Sequence, residues 1–293
     1  MEIKPVYEFL LWDNCNNHCK FCFQRDKCKD LTSKQKTSSL KRMRQFLESD
    51  KFKTGSHILL VGGEIFDDVS DDLKDCWWET VNYLGKKMNS KEIDLLYVNT
   101  NLLYEDLTLL EYLFNIIQYY GLWQRLKFTT SYDLVGRFAN KRREKLFLDN
   151  LKLIKQQYPE CNIVVNTILM KETCEQIIND KFNPKKFCDE YQCDINLIPY
   201  IVYTEDLSAT PSQMIKALMH TDYLIDGYFG RYYHNMNLDQ DKYLYKYNPS
   251  TDSFDYVSCG KSECGHSENF KKVLPDGKCW VCALREMITF IAH

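Results

Sequence analysis

The chain has 293 residues, with 38 lysines and arginines against 41 aspartates and glutamates, a formal net charge of -3. That length suits one large domain, or a large domain with an appendage, and the mild negative balance gives no general attraction to nucleic acid or to an anionic membrane. The opening MEIKPVYEFLLWDNC carries an acid and no long apolar stretch, so it reads as neither a signal peptide nor a spanning helix, and the expectation is a soluble, cytoplasmic protein.

In chain order, the first strand is expected at Val6 to Leu11, and the run CNNHCKFC follows it with Cys15, Cys19 and Cys22. Three thiolates can hold three irons of a four-iron cluster and leave the fourth without a protein ligand, whereas a structural zinc site closes all its positions. His18, inside this loop, reads as a cap on local backbone groups. A helical pattern from Ser33 to Ser49 leads to a strand at His57 to Val61, which ends at Gly62-Gly63-Glu64. A helix over Ser70 to Met88, a strand at Ile93 to Val98, a helix over Tyr104 to Tyr120 and a strand at Leu126 to Ser131 come next. A helix over Asn140 to Tyr158, a strand at Asn162 to Met170, a helix over Lys171 to Tyr191 and a strand at Asp194 to Tyr200 complete the alternation.

Strands that alternate with single helices read as right-handed βαβ units building a parallel sheet, whose active face lies at the C-terminal strand ends. The cysteine triplet follows the first strand and Gly62-Gly63-Glu64 closes the second, so both fall on that face. A basic cluster, Arg137, Lys141, Arg142 and Arg143, reads as a solvated helix face, with anion binding as the alternative.

After about Pro211 the alternation stops. The division expected is residues 1–210 for the sheet domain and 211–293 for a tyrosine-rich linker, a hairpin and a cysteine-rich metal-binding subdomain. Tyr243 to Tyr247, then NPSTDS and FDYV, reads as the hairpin. The tyrosines of the linker are expected to pack the tail onto the sheet domain. Cys259, Cys264, Cys279 and Cys282 follow, the last pair opening an expected helical run, ALREMITFIAH. Four thiolates close either a second [4Fe-4S] cluster or a tetrahedral zinc, with His266 as an alternative ligand. The chain has 13 cysteines, and their grouping at two ends points to two metal sites in a reducing compartment rather than to a disulfide framework. Cys161 and Cys193 precede strands and belong at the opposite rim.

With the spacing CxxxCxxC, Phe21 just before the third cysteine and Gly-Gly-Glu after the second strand, the chain resembles the radical S-adenosylmethionine superfamily over roughly residues 5 to 200. The resemblance implies an α/β fold, a partial (β/α)6 TIM-like barrel, with a [4Fe-4S] cluster on Cys15, Cys19 and Cys22. S-adenosylmethionine would chelate the open iron through its methionine amine and carboxylate, and an electron from a flavodoxin or ferredoxin would cleave it to a 5'-deoxyadenosyl radical that takes a hydrogen from a substrate. It places Phe21 by the adenine, Gly62 and Gly63 at the methionine amine, and Glu64 on that amine or on the turn itself. Ser131 would make a polar contact to the cofactor, Asn166 would lie near the ribose, and the backbone around Leu197 and Ile198 near the adenine. Thr100 and Asn101 would line the pocket, although Leu102 stands where the family has the glycine of Thr-Asn-Gly.

The tail resembles the auxiliary-cluster domains of the same superfamily, which makes a peptide or protein the first substrate class. The first strand begins close to residue 5, which leaves no room for a leader-binding domain ahead of it. The loop CNNHCKFCF and the stretch VVNT resemble the viperin-like branch, which makes a nucleotide the alternative substrate. A non-catalytic metal-binding adaptor is the reading outside enzymology. If a thiol returns a hydrogen atom to a substrate radical, Cys28 and Cys174, in connections on the active face, are the candidates.

Overall fold

The structure, a computed structural model, describes residues 4–22, 31–199, 207, 209–221, 245–248, 250, 253–256, 270–273 and 279–281. Its frame is a run of six parallel strands, β1 (Val6–Leu10), β2 (Ser56–Val61), β3 (Ile93–Asn99), β4 (Leu126–Ser131), β5 (Ile163–Leu169) and β6 (Asp194–Pro199), each paired with the next in sequence. Between them lie α1 (Ser33–Leu47), α2 (Asp71–Asn89), α3 (Thr108–Tyr119) and α4 (Lys141–Gln157), then α5 (Lys171–Ile178) and α6 (Pro184–Tyr191) together before β6. This is the expected α/β architecture, compatible with a partial TIM barrel.

The strands alternate between two environments. In β4, Leu126, Phe128 and Thr130 are buried while Lys127, Thr129 and Ser131 are half-buried, the period-two pattern of a sheet with one covered face. The covered face meets the helices: Phe128 packs edge-on against Phe114 of α3 with ring centroids 5.1 Å apart, and Phe9 of β1 packs against Phe46 of α1 at 5.6 Å. The other face is more polar. Ser131, Asn166 and Asn196 stand in register across β4, β5 and β6.

Sequence and structure part in three places. The single helix expected over Lys171 to Tyr191 is two, because the chain enters the left-handed region at Asp180 (φ 55°) and restarts at Asn183, whose side chain accepts from the Lys186 N–H, with Pro184 at the first helical position. Beyond the expected end of the alternation lies α7 (Pro211–Met219), opened by a reciprocal capping box between Thr210 and Gln213 and packed on α5. The tail also returns to the sheet. β9 (Phe270–Val273) pairs parallel to β1, and β10 (Cys279–Val281) pairs antiparallel to β9, so the sheet has eight strands in the order β10-β9-β1-β2-β3-β4-β5-β6. Cys279 therefore opens a strand; the run from Cys282 onward lies outside the described residues. The expected hairpin is present as β7 (Tyr245–Asn248) and β8 (Ser253–Tyr256). Among the described residues, no helix is long and apolar enough to cross a membrane.

Candidate functional site

The loop after β1 carries the three N-terminal cysteines and is held on one side from the C-terminal ends of β2 and β3, and on the other from the β4–α4 connection and the start of α4. On the β2 side, the Gly63 N–H donates to the Trp12 carbonyl and the Glu64 N–H to the Asn14 carbonyl, both at 2.9 Å. The two glycines are demanded by this contact. A Cβ on Gly63 would lie 2.2 Å from the Asn14 oxygen and 2.4 Å from the Asp13 oxygen, and one on Gly62 would lie 2.7 Å from the Trp12 oxygen. The space left by the missing Cβ atoms is thus filled by the cysteine loop itself, while neither glycine carbonyl accepts a hydrogen bond from a described residue.

Glu64 ties this turn to β3. Its carboxylate, 1% exposed, accepts from the Thr100 hydroxyl (2.8 Å), the Asn101 N–H (2.6 Å) and the Phe66 N–H (3.1 Å), while its carbonyl accepts from the Trp12 indole at 2.6 Å. Of the two roles considered for Glu64, holding the turn is the one these bonds display. Burial pushes its carboxyl up to about 7. Asn101 then reaches the cysteine loop: its amide donates to Asn16 Oδ1 at 2.8 Å and to the Cys15 sulfur at 3.4 Å, and its Oδ1 accepts from the Leu103 N–H at 2.7 Å. Leu102 adopts φ 55°, the conformation that suits glycine. Leu102, which stands in place of the glycine of Thr-Asn-Gly, thus takes a conformation that favours glycine, and its fully buried side chain offsets the strain.

The far side of the loop is held by the connection between β4 and α4. Lys20 N–H donates to the Gly136 carbonyl (2.8 Å), the Asn17 amide to the Arg137 carbonyl (3.0 Å), and the Arg143 guanidinium to the Asn16 carbonyl (3.1 Å). The basic cluster is therefore not one solvated face. Arg142 is exposed and pairs with exposed Glu105, whereas Arg137 is 10% exposed and pairs with fully buried Asp133 at 2.6 Å. Asp133, Gly136, Arg137 and Asn17 had no sequence signal as site residues; only the i, i+4 spacing of Asp133 and Arg137 hints at a pair.

Cys19 and Phe21 are buried with Met170 in a small apolar cluster that also touches Cys22, Val135, Ile168 and Leu207. Burial pushes the Cys15 thiol up to about 12 and raises Cys19 as well, opposed at Cys19 chiefly by the Arg137 charge. Cys15 and Cys19 feel each other's charge, as do Cys19 and Cys22. Yet among the described residues no three of His, Cys, Asp or Glu converge as ligands of one metal ion would. A four-iron cluster takes each thiolate on a separate iron, so a single shared centre is not what it requires. The donor set, the apolar shelter and the cation beside Cys19 fit such a group. His18 is exposed.

The remaining predicted residues are placed as follows. Thr100 is buried against Glu64, and Ser131 and Asn166 share the polar row at the ends of β4 and β5, where Asn166 Oδ1 accepts from Asn196 at 3.2 Å. Leu197 is fully buried and Ile198 half-buried on the more polar face of β6. Cys174, on α5, is fully buried in the main core, with burial pushing its thiol up to about 12. Cys161 and Cys193 are buried next to the starts of β5 and β6. Cys28, Cys259, Cys264, His266 and Cys282 lie outside the described residues, as do the linker tyrosines from Tyr223 to Tyr243, and Cys279 is placed only as part of the β10 backbone.

No family model and no curated protein matches the chain. Among solved structures, SuiB from Streptococcus suis aligns with a TM-score of 0.53 at 13% identity, over 96% of this chain and 60% of that one. The chain thus spans about three fifths of SuiB's length, and at that identity the likeness is one of fold. N-acetylneuraminate lyase from Fusobacterium nucleatum aligns over 80% of this chain and 79% of that one at 12% identity, but its TM-score of 0.21 carries no argument.

Proposed function

We propose that the protein is a radical S-adenosylmethionine enzyme. The observation that carries this reading is the clasp itself: the Cys15–Cys22 loop at the end of β1, gripped by Gly63 and Glu64 from the end of β2 and by Asn101 from the end of β3. The α/β fold shared with SuiB is compatible with it. When bound, a [4Fe-4S] cluster and S-adenosylmethionine together supply a carbon radical able to take a hydrogen atom from a substrate.

The chain's own residues do the rest. Cys15, Cys19 and Cys22 would hold three irons, and Phe21, Met170, Val135 and Ile168 would keep water from the Cys19 and Cys22 thiolates. The carbonyls of Gly62 and Gly63 are acceptors for the methionine ammonium. Glu64 acts through Thr100 and Asn101, fixing the rim that would receive that ammonium. Ser131 and Asn166, in register on the polar face, are positioned for the hydroxyl-bearing part of the cofactor, with Leu197 and Ile198 beside them on β6. A flavodoxin or ferredoxin supplies the electron, the tail cysteines hold an auxiliary cluster or zinc, and a peptide or protein is the substrate class.

The test is anaerobic reconstitution with iron and sulfide, reduction in the presence of S-adenosylmethionine, and measurement of 5'-deoxyadenosine. The expected result is product from the intact chain and none from Cys19→Ala. Product that persists unchanged in Cys19→Ala, or an intact chain that takes up no cluster, would sink the reading.

A further inference from the structure

Beside the cysteine loop lies an ion pair, Asp133–Arg137, to which the roles assigned under the proposed function give no part. Asp133 is fully buried and Arg137 is 10% exposed, with Arg137 Nε 2.6 Å from Asp133 Oδ2. The second carboxylate oxygen of Asp133 accepts from the Ile168 N–H of β5 at 2.7 Å, so the acid is fixed by the sheet and in turn fixes the guanidinium. The guanidinium carbon lies 5.4 Å from the centre of the ring of Phe21, the residue just before Cys22. The carbonyl of Arg137 accepts from the Asn17 amide, which also donates to the Cys19 sulfur at 3.2 Å. Gly136 completes the contact: at φ 75° it brings its backbone close to Lys20 and Phe21, where a Cβ would sit 3.3 Å and 3.4 Å from their side chains.

The pair is oriented. The guanidinium lies over the ring of Phe21 within the thiolate loop, while the far carboxylate oxygen of Asp133 is bound to the Ile168 N–H, so the cationic end faces the loop and the anionic end faces the β5 backbone. A full positive charge held in a low-dielectric site next to a group that gains an electron stabilises the reduced form of that group. Surface ion pairs do little of this, because water screens them.

We propose that the buried Asp133–Arg137 pair is a positioning and charge-tuning device for the thiolate loop, with Arg137 raising the reduction potential of the cluster and Asp133 moderating it. This rests on the cluster assignment in the preceding subsection. The two residues do not touch the reacting atoms. They set how readily the cluster accepts its electron, and the stack on Phe21 holds the charge in place.

The experiment uses the full chain, reconstituted with iron and sulfide without S-adenosylmethionine, and reads iron per chain and the midpoint potential by spectroscopically monitored titration with dithionite. Arg137→Gln is expected to shift the midpoint to lower potential and Asp133→Asn to higher potential. Arg137→Lys, which keeps the charge, stays nearer the wild type than Arg137→Gln, and the double variant Asp133→Asn/Arg137→Gln lies between the two singles. Shifts of the same sign in the two single variants, or no shift with iron retained, overturn the inference. If Arg137→Gln does not load iron, Arg137→Lys decides. Restored iron at a near wild-type potential supports the device, and failure to load overturns a role for the charge. A wild-type chain that takes up no four-iron cluster overturns the cluster assignment and this inference together, whereas a loaded wild type with indifferent variants overturns this inference alone.

Discussion

Replacing Gly63 with alanine puts the clasp to the test, because the cost can be worked from contacts. The new methyl would lie 2.2 Å and 2.4 Å from the Asn14 and Asp13 carbonyl oxygens, where ordinary contact begins at 3.4 Å. Both neighbours are backbone and cannot rotate away, so the loop has to retreat by about 1 Å, a small-to-large clash that costs roughly 1–3 kcal/mol. The retreat also breaks the two 2.9 Å bonds from Gly63 and Glu64 to Trp12 and Asn14. At about 1 kcal/mol each, these bring the expected loss to roughly 3–5 kcal/mol, a large share of a typical domain's stability. Gly121→Ala is the control. Gly121 has φ 63° with nothing within 4 Å of the position a methyl would take, so only the left-handed strain of about 1–2 kcal/mol applies. Urea unfolding followed by circular dichroism, with iron per chain after reconstitution, reads both variants. Gly63→Ala unfolding within about 1 kcal/mol of Gly121→Ala, with full iron, would refute the packing argument.

Three further outcomes follow from the same contacts. Asn101→Ala removes the bonds to Asn16, to the Cys15 sulfur and from the Leu103 N–H, and is expected to cost roughly 2 kcal/mol. It should also lower iron retention during gel filtration, and a variant that keeps both stability and iron would remove Asn101 from the site. Leu102→Gly relieves a left-handed strain of about 1–2 kcal/mol but empties a fully buried leucine site worth about 3–5 kcal/mol. Net destabilisation is the expected result in urea titration, and a more stable variant would show that the side chain does not offset the strain. Burial raises the Glu64 carboxyl from 4.5 to about 7, so between those values the folded chain holds a proton that the unfolded chain has lost. This group's contribution is therefore most favourable below 4.5 and is lost as the pH rises towards 7. Glu64→Gln should flatten that segment of the stability profile, and parallel wild-type and variant profiles would contradict the assignment.

How much of this was legible beforehand differs between frame and site. The six parallel strands were visible because each is a short apolar run bounded by turn residues, and period two against period three to four survives in any sequence whose covered face must be apolar. The join between α5 and α6 was not, because Asp180 adopts a left-handed angle without being glycine, and Pro184, which could end a helix, here starts one. The return of the tail as β9 and β10 was hidden for another reason. Strand pairing across most of the chain leaves no local pattern in FKKV or CWV.

At the site, the cysteine spacing and Gly62-Gly63-Glu64 could be read directly, since thiol chemistry and the absence of a Cβ are properties of the residue type. What the glycines accommodate could not. The structure puts the cysteine loop's own carbonyls against them, and turns Glu64 inward to hold Thr100 and Asn101. Leu102 shows the same limit from the other side, because the backbone conformation associated with glycine is kept by burial of a leucine. The sequence by itself determined the six-strand alternation with helices from β1 to β6 and the rim to which the thiols belong. Only the tertiary structure decided that Asp133 and Arg137 stand buried against that rim, because whether a charged residue meets water or a partner depends on which loops the sheet brings together, and no local pattern carries that information.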